Sequence, residues 1–159
     1  MDVVKAASYI VKRYQDEMHA SIDEMKLHKL LYFSQREAII QINEPMFDAQ
    51  FEAWKYGPVM VQIRDRYRTG TLNVFPTTDE IAPYVNVFNN VFSTYAGKDS
   101  WSLSILTHGE KSWQIARKGI PQDEQCSVLI KTEDIAQDAL RIKMRRYYFE
   151  EILPSVNEN

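Results

Sequence analysis

The sequence predicts a mostly α-helical fold, a single compact domain over residues 1–159 with about seven helices and a small two-stranded β element. Three observations predict it. Apolar residues recur every three or four positions along most of the chain. Helix-start signatures precede several of these segments. No internal repeat, low-complexity tract or linker divides the 159 residues, which is the length of one ordinary domain.

The first two elements are both predicted to be helices. Apolar spacing indicates a helix over residues 2–18. Ser21 and Glu24 then have the spacing of a capping box, so a second helix should begin there and stop near Asn43, before Pro45. This helix is apolar around most of its circumference, which places it in the middle of the domain.

An extended segment and a third helix follow. Apolar and polar residues alternate from Phe47 to Trp54, which predicts a short strand. Pro58 is well placed to be the first residue of the next helix, which should end at Gly70.

The C-terminal half continues the helical pattern. The remaining predicted elements are a helix over residues 84–95 introduced by Thr77 and Glu80 with Pro83 in its first turn, a helix capped by Asp99 with Leu103 and Leu106 pointing inward, a short helix through Trp113, a brief strand over residues 127–131, and a long helix from Thr132 to about residue 153.

Composition disfavours several classes of function. Nineteen Lys and Arg against 22 Asp and Glu give a net charge of −3 and a pI near 5.6, so nucleic-acid binding is not expected. The single cysteine, Cys126, cannot form an internal disulfide. No secretory signal or membrane-spanning apolar stretch is recognised. These features predict a soluble cytoplasmic protein that does not bind membranes.

Candidate catalytic and metal sites are few. No pair among the three histidines has metal-ligand spacing, so no metal or cofactor is predicted. Cys126 has no activating neighbours in the sequence. His108 with Glu110 is the most enzyme-like cluster, but a structural alternative is favoured, in which Thr107 and Glu110 form a capping box. We therefore assign no catalytic residue.

The basic run at residues 141–146 precedes three aromatic residues at 147–149. Such a segment could contact phosphates with aromatic support. Acidic residues lie both upstream and downstream, however, and a solvated, charge-balanced helix face is the favoured alternative.

Three segments together resemble a known family. Residues 25–35 read MKLHKLLYFSQ, residues 51–59 read FEAWKYGPV and residues 103–117 read LSILTHGEKSWQIAR. Their residues, order and spacing are similar to the motifs of the Panacea domain, also called the SocA-like antitoxin domain and present in GepA-like phage-associated proteins. One departure is His28, which stands where a glutamine is commoner. With the flanking helices, the resemblance covers nearly the whole chain.

The resemblance implies an antitoxin, whose partner is a cognate toxin protein neutralised by direct contact. Two alternatives remain. One is a proteolytic adaptor, which would deliver a partner protein to a cellular protease. The other, less favoured, is an enzyme that depends on His108 and Glu110. The sequence does not identify the toxin.

The motif residues divide into two predicted groups. Those with core spacing or special backbone requirements should hold the scaffold: Leu27, Leu30, Leu31, Phe33, Gly57, Pro58 and Thr107. The others are predicted to bind the partner, several of them in a shared polar groove: Lys26, Lys29, Tyr32, Trp54, Tyr56, His108, Glu110 and Trp113. We expect Lys29→Glu to weaken partner binding without unfolding the domain.

Overall fold

The second helix, α2 (Glu24–Ile42), is the centre of the fold. The computed structural model describes residues 1–153, and in it every residue from Lys26 to Ala38 is buried. Helices on several sides cover α2, as its apolar circumference predicts. The first of them is α1 (Val3–Met18), which packs on α2 and contributes Ala6, Ala7 and Ile10 to the core.

The remaining elements follow in chain order: β1 (Glu52–Trp54), β2 (Gly57–Val59), α3 (Val61–Arg68), α4 (Thr78–Ile81), α5 (Val85–Val91), α6 (Ser100–His108), α7 (Lys111–Ala116) and α8 (Thr132–Tyr147). A 3-10 turn, Ala82–Tyr84, joins α4 to α5, and π turns extend α5 over Phe92–Ala96 and α8 over Tyr148–Ile152. With α4 and α5 taken as one interrupted helix, the predicted seven helices and small sheet are confirmed for the described residues.

Side chains close in the sequence cap several helices, and one predicted cap is wrong. Thr77 and Glu80 form the predicted capping box, and Asp99 accepts a hydrogen bond from the Ser102 N–H. The start of α2 differs, because the cap is Asp23, whose carboxylate accepts from the Lys26 N–H. Serine and aspartate are both good caps, so the choice between Ser21 and Asp23 depends on where the chain turns.

The β element is a hairpin in which Glu52 pairs with Val59 and Trp54 with Gly57. It is shorter than the strand predicted from Phe47 to Trp54. The prediction that Pro58 begins a helix is wrong: Pro58 lies in β2, and α3 begins at Val61. β2 is an edge strand, where a residue without an N–H is tolerated.

The C-terminal segment completes this small sheet on the other side of β1. The Ala53 N–H donates to the Val128 carbonyl, and the Ile130 N–H donates to the Phe51 carbonyl. The brief strand predicted at residues 127–131 is therefore a single bridge, between Glu52 and Leu129. Within residues 1–153, no helix is both long enough and apolar enough to span a membrane.

Candidate functional site

The three motifs meet where the β1–β2 hairpin packs between α2 and α6. Gly57 has a φ of 103°, and a Cβ placed on it would lie 2.4 Å from Thr107 Oγ1 and 2.8 Å from Lys29 Cε. One atom more at Gly57 would therefore collide with side chains of both other motifs. We call this meeting point of Lys29, Gly57 and Thr107 the motif junction.

Lys29 anchors the hairpin to α2 from inside the protein. Its side chain is 1% exposed, and its Nζ donates to the Pro58 carbonyl at 3.2 Å. Burial lowers the pKa of Lys29 to about 7, while Asp23 opposes the change. The ammonium group thus serves the fold rather than an external groove.

His108 and Trp113 hold the outer side of the hairpin. The Trp113 indole N–H donates to the Trp54 carbonyl at 3.0 Å, and the His108 ring stacks on Trp113 with centroids 4.3 Å apart. Burial lowers the pKa of His108, and a hydrogen bond with the Lys55 backbone opposes that shift. His108 is therefore placed by packing.

Glu110 faces a different partner from His108. It forms a buried ion pair with Arg36 of α2, whose guanidinium also donates to the Tyr95 hydroxyl at 2.7 Å. Burial raises the pKa of Glu110, and Arg36 opposes the rise. The two residues of the enzyme-like cluster thus have separate contacts.

The predicted Thr107–Glu110 capping box does not form. The Thr107 hydroxyl donates to the Ser104 carbonyl at 2.8 Å, and α7 is capped from a distant helix. The Asp138 carboxylate of α8 accepts from the Lys111 and Ser112 N–H groups at 3.0 and 2.8 Å. Asp138, which sequence reasoning missed, therefore joins α8 to the third motif.

The predicted polar groove is an interior network, which corrects an expectation from the sequence. Lys26, Lys29, Tyr32, Glu110 and Trp113 are all buried. The Lys26 ammonium donates to the Tyr14 hydroxyl at 3.0 Å, and the Tyr32 hydroxyl is 2.7 Å from Ser112 Oγ. The scaffold residues Leu27, Leu30, Leu31, Phe33, Gly57, Pro58 and Thr107 are buried as well. Lys29 and Tyr32 lie beyond the direct reach of a partner that docks on the folded domain, whereas Glu110 and Trp113 border surface pockets.

Exposed residues beside the motif junction form an aromatic and apolar surface. Tyr56, at the hairpin turn, is 44% exposed, and its ring meets the Trp101 ring edge-on at 5.3 Å. Trp101 and Ile105, one helical turn apart on α6, are 59% and 70% exposed. The Ser104 hydroxyl donates to the Tyr56 carbonyl at 2.8 Å and fixes the turn against α6. We call Tyr56, Trp101 and Ile105 the hairpin–α6 surface.

The spacing of apolar residues in α6 contains a signal for this surface, in addition to the inward face that was predicted. Leu103 and Leu106 were both predicted to point inward, but Leu106 is 42% exposed and only Leu103 is fully buried. Trp101 and Ile105 share a face four residues apart, so they would have indicated a second apolar face on α6. Trp54, the remaining predicted contact residue, is half-buried beneath the Arg64 guanidinium.

Residues 27–114 match the sequence model of the family described as Antitoxin SocA-like, Panacea domain. The match covers more than half of the 159 residues and most of the three motifs. The chain belongs to this family. The resemblance read from the motifs is thereby confirmed. No curated protein and no solved structure matched the chain.

The motif junction and the hairpin–α6 surface both lie within the matched part of this Panacea domain, whereas α8 lies outside it. Two of the four basic residues in the run of α8 are paired with acids. Arg146 makes two hydrogen bonds to Glu37 at 2.8 and 2.9 Å, and Arg141 pairs with Asp138 at 2.9 Å. Within residues 1–153, no three His, Cys, Asp or Glu side chains are grouped to hold a metal ion.

Proposed function

We propose that this Panacea-domain protein is an antitoxin that neutralises a cognate toxin by binding it directly through the hairpin–α6 surface. Family membership supports a role in a toxin–antitoxin pair in general. The observation that carries the surface assignment is the exposure of Tyr56, Trp101 and Ile105 immediately outside the motif junction.

The chemistry of this surface suits protein recognition. Tyrosine and tryptophan are over-represented among residues that dominate binding energy, because they bury a large area at a small entropic cost. The hairpin below them is held by Lys29, Trp113 and Arg117, which all donate to its backbone carbonyls. A surface on so rigid a support loses little conformational freedom when a partner binds.

The buried motif residues support this assignment indirectly. They fix the position of the hairpin relative to α6, so Tyr56 and Trp101 are presented together. His108 and Glu110, the basis of the enzyme alternative, contact Trp113 and Arg36 respectively. The proposal therefore gives the buried motif residues a scaffolding role and assigns partner contact to the exposed Tyr56, Trp101 and Ile105.

The test is growth of bacteria that express the adjacent open reading frame with this chain or its variants. Wild-type chain should restore growth and co-purify with the neighbour. Ile105→Glu places a charge within the hairpin–α6 surface and should abolish both. Val74→Glu is the matched control, since Val74 is 43% exposed in the loop beside α1. It should behave as wild type.

Two outcomes would contradict the proposal. Rescue by Ile105→Glu with circular dichroism unchanged would remove the hairpin–α6 surface from the mechanism. A neighbour that disappears from wild-type cells but persists in a protease-deficient host would favour the adaptor alternative over sequestration.

A further inference from the structure

The outward face of α8 and its π turn carries an apolar stripe that residues 1–153 leave open. Leu140, Met144, Tyr147 and Tyr148 are 58%, 64%, 60% and 50% exposed. They recur at helical spacing on the side of α8 opposite Ile135 and Ala139, which pack into the domain. We call these four residues the α8 stripe. Contiguous exposed apolar side chains of this kind mark interaction surfaces.

The α8 stripe borders a groove with a volume of about 640 Å³ that Ile40 of α2 also lines. Four charged residues line the same groove: Lys143, Arg146, Glu150 and Glu151. Of these, Lys143 and Glu150 are seven residues apart, which is about two helical turns along α8 and its π turn.

Both charges lack an oppositely charged partner within the described residues. Lys143 donates to the Asn43 side-chain oxygen at 3.1 Å, and no ion pair involves Glu150. Two arginines of the same helix do have acidic partners, since Arg141 pairs with Asp138 and Arg146 with Glu37. The border of the apolar stripe thus carries unpaired charges of both signs.

We propose that the α8 stripe is the interface of a homodimer, in which α8 of one copy packs antiparallel against α8 of the other across a two-fold axis. In an antiparallel pair the partner helix runs in reverse order, so a two-fold axis midway between Lys143 and Glu150 places Lys143 of each copy opposite Glu150 of the other. One symmetry operation then forms two ion pairs. A parallel pair would instead place Lys143 beside Lys143 and Glu150 beside Glu150.

This dimer goes beyond the proposed function and does not rest on it, because it uses neither the hairpin–α6 surface nor a toxin. The charge pattern argues for a second copy as the occupant. An identical helix in antiparallel orientation presents an acid opposite Lys143 and a base opposite Glu150 at the same spacing.

Sedimentation equilibrium of the full chain without any partner tests the arrangement by charge exchange. Lys143→Glu and Glu150→Lys each set like charges against one another in two places, so each should raise the dimer dissociation constant by about tenfold or more. The double variant restores opposite charges across the axis. It should return the dissociation constant to within about threefold of wild type.

Met144→Glu tests the apolar part and should leave the chain monomeric, whereas the matched change Val74→Glu should leave the dimer unaffected. Wild-type chain that remains monomeric at about 100 µM would overturn the proposal. So would a double charge exchange that dimerises no better than either single variant, or a dimer that Met144→Glu leaves intact. If Met144→Glu instead removes toxin co-purification from a monomeric wild type, the stripe belongs to the toxin and the homodimer is wrong.

Discussion

Polar side chains are usually exposed and large apolar side chains usually buried, and helices α2 and α8 each depart from one half of this rule. Helix α2 buries charged and polar residues, among them Lys29, Arg36 and Glu37, and gives each at least one partner. Helix α8 buries few residues and leaves large apolar side chains such as Met144 and Tyr147 in contact with solvent. The two helices pack against each other, so the contrast is between neighbouring elements of the fold.

The difference shows that residues of a family motif can be buried in the fold, while large apolar residues outside the motifs are exposed. The buried polar groups of α2 are costly to leave unpaired, so they fix the positions of the hairpin and of α6 and α7. The exposed residues of α8 impose no such constraint on the fold. Substitutions in α2 should therefore act on stability, whereas those on the outer face of α8 should act on association.

The largest expected effect is that of Lys29→Glu. A carboxylate would replace an ammonium that is 1% exposed and would face the Pro58 carbonyl, which can only accept. We expect the free energy of unfolding to fall by about 3 to 5 kcal/mol in urea denaturation. This reverses the expectation from the sequence that the variant would stay folded. A shift below about 1 kcal/mol would show that Lys29 is not buried in solution.

Lys29→Met is the matched control for this prediction. It keeps the length of the side chain and removes the charge, so the loss should be about 1 kcal/mol or less. It also isolates a pH effect. The folded-state pKa of Lys29 is about 7 against 10.5 in the unfolded chain, so the unfolded state binds more protons between these values. Stability should rise from pH 7 to pH 9 in wild type and rise less in Lys29→Met.

The second largest effect concerns Gly57, where α2 and the hairpin touch. Gly57→Ala places a methyl group 2.4 Å from Thr107 Oγ1 at a φ of 103°, so collision and backbone strain add. We expect a loss of about 3 kcal/mol or more in thermal or urea unfolding.

Gly97→Ala is the control, because a Cβ there meets nothing within 4 Å and the backbone φ is −76°. Its stability should stay within about 0.5 kcal/mol of wild type. Equal stability of the two variants would mean that the motif junction is looser than described.

The fold could be predicted from the sequence where local physics decides it. Helical spacing placed α1 and α2 to within a residue or two, and the α2 terminus at Asn43 followed from the proline beyond it. The π turns at the ends of α5 and α8 left no sequence signal that spacing could detect.

The candidate site was less predictable because it depends on contacts between distant segments. Lys26 and Lys29 carry charges, and a charged residue is normally expected at the surface. Their burial follows from acceptors that the fold supplies, Tyr14 and the Pro58 carbonyl. The cap of α7 likewise comes from Asp138, 26 residues from Ser112 in the chain. Spacing within one element cannot reveal such partners.

A third prediction uses His28, the α2 residue that departs from the family motif. Its Nδ1 accepts from the Met60 N–H at 3.3 Å, and burial, with the charges of Lys29, Arg64 and Arg68, lowers its pKa to about 3. The unfolded state therefore binds a proton first as the pH falls below 6.5. This group should remove about 2 kcal/mol of stability between pH 7 and pH 5. His28→Gln keeps an acceptor and should reduce that loss, which urea denaturation at the two pH values measures. An identical pH dependence in both proteins would refute the assignment.

The smallest effect is expected on α8, where Met144→Gln should change the intrinsic stability of one chain by no more than about 0.5 kcal/mol, because Met144 is 64% exposed. Its consequence should appear only through association. A dimer that dissociates on unfolding makes the Tm rise with protein concentration, so wild type should show that rise and Met144→Gln should largely lose it. Ile135→Ala, on the buried face of the same helix, should instead lower the Tm at every concentration, since Ile135 is 2% exposed. If Met144→Gln destabilises the chain as Ile135→Ala does, both faces of α8 serve the fold, and the contrast with α2 fails.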